Sequence, residues 1–204
     1  MANIRLSRLI VTAGAWANTL LLDLGLPLTV RRKVLAWFEP LAPQMFDEGR
    51  VPVFTFPENW IYGFPDIHGQ GVRLDHLGGE DVASADGEIA APNAADIDPI
   101  RATMAKCTPS PAGAPPGSAA KLLRSEVCLY MLTPDEDFLI DHHPEQPEVI
   151  FAAGFSGHGF KFAPLIGQVL AELAINARTV IDIDFMALRR FPQTAVRLAG
   201  GPLS

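Results

Sequence analysis

Val149-Ile150-Phe151-Ala152-Ala153-Gly154-Phe155-Ser156-Gly157-His158-Gly159-Phe160-Lys161-Phe162, followed by Pro164-Leu165-Ile166-Gly167-Gln168-Val169-Leu170-Ala171-Glu172-Leu173, reads as a buried strand, a glycine turn and a helix. Gly154, Gly157 and Gly159 let the backbone come close to a ligand. The N–H groups that open a helix have no partner inside it and attract negative charge. His158 adds a titratable ring and Lys161 a cation at the same turn, and the flanking Phe160 and Phe162 predict partial burial of Lys161. Strand, turn and helix together suit a flat, partly anionic cofactor. The same glycine spacing also serves plain strand-to-helix packing, so the spacing alone leaves both readings open.

The rest of the chain sets bounds on that reading. Its 204 residues suffice for one ample domain or two small ones, and 49% are hydrophobic, enough to bury a core. A formal net charge of −7 excludes a basic phosphate-binding face, so no nucleic-acid partner is expected. No apolar run reaches the roughly 18–20 residues that span a bilayer, so no membrane partner is expected either. Cations precede a short apolar run at the N-terminus, but Gly14, Trp16 and Asn18 break it, and no signal peptide is expected. Cys107 and Cys128 make no disulfide framework, which points to a cytoplasmic protein.

Hydrophobic patterning predicts a strand at 9–13, a helix over 17–24 that stops at Gly25, and a strand continuing through 28–38 with Val30, Val34 and Ala36 on one face. Further strands are predicted at 51–56, 60–65, 71–76 and 138–141, and a helix over 97–107 capped by Asp96 or Asp98. Residues 108–118 read as a linker. Strands in the middle and helices near both ends predict an α+β fold, partly α/β: a parallel cofactor sheet joined to a mostly antiparallel one.

The run from Gly154 to Phe162 resembles the C-terminal flavin-contacting segment of the monomeric sarcosine oxidase and N-methyltryptophan oxidase family, FAD-dependent enzymes in the D-amino-acid oxidase-like group. Leu9-Ile10-Val11-Thr12-Ala13-Gly14-Ala15-Trp16 resembles the strand that returns to the FAD domain. Val30 to Phe38, Tyr62-Gly63-Phe64-Pro65, Val127 to Tyr130 and Thr133 to Asp141 resemble further segments of the same family. The resemblance is weakest from 78 to 118. It implies a Rossmann-like FAD domain over 1–28 and 135–204 and a substrate domain over 29–134. Family members are about twice this length, and their first half carries a Gly-x-Gly-x-x-Gly fingerprint that is absent here. The expectation is the C-terminal half of an oxidase, needing an N-terminal FAD-domain half.

The resemblance also implies residue roles. Cys128 bonds covalently to FAD through its sulfur, whereas on residue type alone a lone cysteine is most often a small buried hydrophobe. Cys128 and Tyr130, two apart on a strand, face one side. Gly154, Phe155, Ser156, Gly157, Gly159 and Lys161 contact the cofactor. Lys161 also holds the substrate carboxylate, and Tyr130, His158 and His76 line the substrate pocket. Arg73 stands where the family carries a lysine that promotes reaction with oxygen. Arginine keeps the cation but is planar and stays protonated, so dehydrogenase-like reactivity becomes an alternative. His76 falls one residue short of the family's spacing. Cys107 is expected to be inert. Asp141-His142-His143 is not expected to bind metal, because adjacent histidines on a strand point apart. Gly154-Phe155-Ser156-Gly157 lacks the spacing of a serine hydrolase elbow. The implied activity is oxidation of a secondary amino acid to an imine with release of hydrogen peroxide, with a non-catalytic remnant or a subunit as the alternative.

Overall fold

Val149–Ala153 forms a strand buried along its whole length, and one of two sheets is built outward from it. The structure, a computed structural model, describes residues 6–40, 42–76, 78–107 and 120–192. Its strands are β1 (Leu9–Val11), β2 (Thr29–Phe38), β3 (Phe54–Phe56), β4 (Ile61–Phe64), β5 (Val72–His76), β6 (Glu80–Val82), β7 (Leu122–Leu132), β8 (Leu139–His142) and β9 (Val149–Ala153). Its α-helices are α1 (Ala17–Leu20), α2 (Pro43–Phe46), α3 (Ala94–Cys107) and α4 (Ala163–Asn176). The class is α+β, as the patterning predicts. The described residues divide into two units. One holds the chain up to Arg31, Val82–Gly87 and everything from Tyr130 on; the other holds Arg32–Asp81 and Glu88–Leu129. Among the described residues no helix is long and apolar enough to cross a membrane.

In the first unit the strand order is β1-β9-β8. β1 runs parallel to β9, with Leu9 opposite Val149 and Val11 opposite Phe151. β8 runs antiparallel, with Leu139 opposite Ala153. β9 carries no polar side chain because both its faces are covered. On one face Ile150 and Ala152 pack with Ile166, Val169, Leu170 and Leu173 of α4, an i, i+3, i+4, i+7 stripe. On the other, Phe151 packs with Leu21, Leu24, Leu26 and Phe191. Each of these fully buried aliphatic side chains contributes on the order of 2 kcal/mol. β1 closes the sheet on one side, and Leu9 and Ile10 stay exposed.

The helix expected over 17–24 is cut to the single turn α1, followed by a 3-10 turn over Leu22–Leu24 that ends at Gly25, φ 53°. No side chain caps α1, and Asn18 Nδ2 donates to the Leu28 carbonyl instead, 3.0 Å. Local propensity here yields to the need to seat both Leu21 and Leu24 under β9.

In the second unit the sheet order is β3-β4-β5-β2-β6, with β7 also pairing to β2. Val34, Ala36 and Phe38 of β2, Ile61 of β4, and Val72 and Leu74 of β5 face Ile97, Ile100 and Met104 of α3. Side chains alternate along strands, so Lys33, Trp37, Tyr62, Phe64, Arg73 and Asp75 occupy the opposite face. α3 begins three residues before its expected start. Asn93 Oδ1 accepts from Ala95 N (2.8 Å), and Asp96 Oδ2 accepts from Asn93 N (2.9 Å), a reciprocal capping box. Asp96 also receives Arg32 Nη1 and Nη2, both at 2.9 Å, and Arg32 donates to the Ala90 and Ala91 carbonyls. The strand expected at 51–56 shrinks to β3, since Pro52 has no N–H to give a ladder. β6 carries no alternation in sequence and was not expected. The predicted linker 108–118 lies outside the described residues.

Candidate functional site

In the first unit the backbone turns sharply after β9. Gly154, Ser156 and Gly157 all adopt positive φ, at 62°, 49° and 79°. Serine there is strained, and its neighbours hold it. Ser156 N donates to the Met131 carbonyl (2.9 Å), and Ser156 Oγ donates to the Gly154 carbonyl (3.1 Å). The Tyr130 ring lies directly on Gly157, so closely that any Cβ there would overlap it. At Gly154 a Cβ would overlap the Thr133 methyl, and at Gly159 it would crowd Phe155. The turn is thereby fitted to the end of β7 and to the segment after it.

His158 sits on this turn with its ring centroid 5.0 Å from that of Phe138. Its Nε2 is 3.1 Å from the Glu136 carbonyl, to which it donates. Phe155 and Phe162 complete an aromatic cluster around Phe138, at 4.8 Å and 5.4 Å. Lys161 lies in the 3-10 turn Phe160–Phe162 that leads into α4. It is exposed rather than half-buried as its aromatic neighbours suggest, because Phe160 points outward and is itself 95% exposed. Lys161 Nζ sits 5.4 Å from the Phe162 ring and makes no ion pair among the described residues. The first turn of α4 has neither an acidic residue nor a capping side chain.

The remaining candidates belong to the second unit. Cys128 is half-buried on β7 and forms no disulfide. It stands two residues from Tyr130 on one strand, so the two side chains leave on the same side. Arg73 is half-buried on β5. Its Nε and Nη2 donate to one oxygen of Asp75, at 3.0 and 2.8 Å. Its guanidinium carbon lies 4.2 Å from the Phe64 ring centroid and 5.8 Å from that of Trp37. His76 falls on the other face of β5, the one shared by Val72 and Leu74, so Arg73 and His76 do not converge. Asp75 was not singled out from the sequence. Its signal was present, an opposite charge at i+2 of Arg73 on an alternating strand.

Burial pushes the Asp75 carboxyl above the ordinary carboxylate range, opposed by Arg73, Tyr62 and Lys33. Burial, helped by Lys33, pushes His76 below its usual value. For His76 the unfolded chain takes up its proton first. Stability is therefore full above about pH 6.5 and declines as pH falls through the lower folded value. We expect the thermal midpoint to fall between about pH 7 and pH 5 and expect His76→Gln to flatten that slope. Equal slopes in both proteins would remove His76 from the account.

Asp141, His142 and His143 are engaged locally. His143 Nε2 lies 2.7 Å from Asp23 Oδ2, and its Nδ1 accepts from Glu145 and Gln146 N–H. Asp141 accepts from Leu188 N at 2.8 Å. A cleft of about 460 Å³ runs along β1 past Asp23 and His143, and none of the expected site residues lines it.

A parallel strand pair ending in a glycine turn and helix, with a second unit built on an antiparallel sheet, is the architecture of solved oxidases and dehydrogenases. A thermally stable mutant of fructosyl peptide oxidase superimposes with a TM-score of 0.66 at 24% identity, covering 96% of this chain and 48% of that one. L-proline dehydrogenase from P. horikoshii superimposes at 0.71 and 22% identity, over 90% of this chain and 46% of that one. The chain belongs to the FAD dependent oxidoreductase family, whose model matches residues 2–173. It is 34% identical over 197 residues to monomeric sarcosine oxidase of Streptomyces avermitilis, covering 90% of this chain and 48% of the relative. It is 36% identical over 195 residues to N-methyl-L-tryptophan oxidase of Yersinia pestis, covering 91% and 48%. The chain spans about half the length of the curated relatives it matches.

Proposed function

We propose that this protein works as an FAD-dependent amine oxidase on an N-methyl or other secondary amino acid, together with the dinucleotide-binding half that its relatives carry, whether joined to it or separate. The observation that carries the reading is the Tyr130 ring seated on Gly157 within a positive-φ turn, followed by an uncapped helix and by Lys161, which has no ion pair among the described residues. These residues fit FAD: the turn brings peptide groups close to a planar edge, and the cation and helix opening favour negative charge. The bound FAD would supply a hydride acceptor for oxidation of the amine to an imine, which water hydrolyses, with oxygen as the final two-electron acceptor and hydrogen peroxide as its product.

In this reading Gly154, Phe155, Ser156, Gly157 and Gly159 lie against the cofactor. Lys161 holds the substrate carboxylate and stabilises negative charge that builds on the ring. His158, its Nε2 committed to Glu136, offers Nδ1 to the amine proton. Tyr130 walls the pocket and Cys128 tethers the cofactor. Arg73 supplies a fixed cation in place of a lysine. His76 backs the sheet from its far face and touches no substrate. The setting is the cytoplasm.

The test is assembly of the chain with a dinucleotide-binding half, followed by acid precipitation. We expect flavin colour to stay with the protein, to be released by Cys128→Ser, and N-methylglycine to yield peroxide. Colour that washes out of the wild-type protein removes the tether. A colourless assembly removes the oxidase reading and leaves a remnant, and colour with peroxide only when both halves are mixed identifies a subunit.

A further inference from the structure

On the face of the second sheet away from α3, four neighbouring strands carry one row of side chains: Phe64 on β4, Arg73 on β5, Trp37 on β2 and Arg124 on β7. Phe64 and Trp37 are the register partners of Arg73 on either side. Arg124 lies 3.9 Å from the Trp37 ring centroid and donates to Glu126 and Gln70. Arg73 differs from Arg124 in being held along one complete edge. Nε and Nη2 both donate to Asp75 Oδ2, and Asp75 is 1% exposed. A guanidinium is planar, so an edge turned to Asp75 leaves Nη1 on the opposite side. Nη1 makes no hydrogen bond among the described residues, and the Arg73 side chain is 29% exposed.

Burying the Asp75 carboxylate is costly, and its cations offset that cost only in part. An exposed ion pair of the usual surface kind would avoid that cost. The arrangement fixes a forked donor against an aromatic ring, with its free nitrogen turned outward. The geometry points to Arg73 as a carboxylate donor of the substrate-binding unit, additional to Lys161, and to Asp75 as the residue that positions it. This rests on reading the second unit as the substrate domain. The ligand is a small carboxylate presenting an oxygen to Nη1. Lysine could not replace Arg73, because an ammonium has no planar fork to be held on one edge while donating from the other.

The readout is Trp37 itself, 8% exposed, in a Trp16→Phe, Trp60→Phe background that removes the two exposed indoles. N-Methylglycine is titrated against its methyl ester, which lacks the anion. We expect the acid to perturb Trp37 emission and the ester not to. Asp75→Asn should weaken the acid about tenfold, Arg73→Lys by a similar factor, and Arg73→Gln should abolish the preference for acid over ester. The double variant Arg73→Gln, Asp75→Asn should match Arg73→Gln alone, because Asp75 acts through Arg73. Equal response to acid and ester in the wild type, no response at all, or wild-type affinity in Arg73→Lys overturns the proposal. If Asp75→Asn fails to fold, Arg73→Lys still decides. Flavin binding is not read in this assay, so failure here is separate from failure of the oxidase reading.

Discussion

Replacing Arg32 with methionine is expected to cost the second unit about 3 kcal/mol, read as a lower urea midpoint. Arg32 is 3% exposed, and its guanidinium reaches Asp96 twice and the Ala90 and Ala91 carbonyls. Methionine fills a similar volume but leaves Asp96 without its cation and two carbonyls without donors. Asp96 also closes the capping box of α3, so the loss reaches the helix that covers the sheet. The Arg32 bond holds the Asp96 carboxyl below the ordinary carboxylate range. Stability from the pair is therefore present above that range and lost as pH falls through the depressed value. The gap between variant and wild type should shrink in strong acid. A gap that is small at neutral pH, or that does not change with acid, would show that the pair is not a clasp between β2 and α3.

Gly157→Ala should cost about 2 to 4 kcal/mol in the first unit, combining a strained positive φ with a methyl pressed onto Tyr130. Either the ring or the turn must move, so flavin retention should fall with it in the assembled protein. Gly167→Ala is the control. It lies inside α4 with nothing within 4 Å of a built Cβ, and it should leave stability unchanged or raise it by about 0.5–1 kcal/mol. If the two alanines behave alike, the close fit at Gly157 carries no weight.

What the sequence disclosed followed the strength of its periodicities. β9 and α4 were legible because an unbroken apolar run and a four-position stripe admit few other structures. β2 was legible from its alternation even through three consecutive cations, of which Arg32 and Lys33 are buried. The helix expected at 17–24 failed where tertiary packing of Leu21 and Leu24 outweighed local preference. The start of α3 was missed because Asn93, not Asp96, takes the capping position, and aspartate serves the box from the third residue. At the candidate site Gly154 and Gly157 hold positive φ, whereas Gly159 sits in the ordinary helical region. Lys161's exposure could not be read from its aromatic neighbours, because flanking residues on a tight turn diverge instead of enclosing it. Asp75 escaped notice because its partner Arg73, two residues earlier on the same strand, is visible only once alternation is applied to charges as well as to apolar residues.

The outer side of β1 has a bearing on how this chain behaves in solution. Leu9 N is bonded to the Glu148 carbonyl, so it is the peptide groups of Ile10 that turn away from β9, beside the exposed Leu9 and Ile10 side chains and without a lysine, proline or bulge among the described residues of the strand. The shortness of that rim, three residues, limits how far another strand could pair along it.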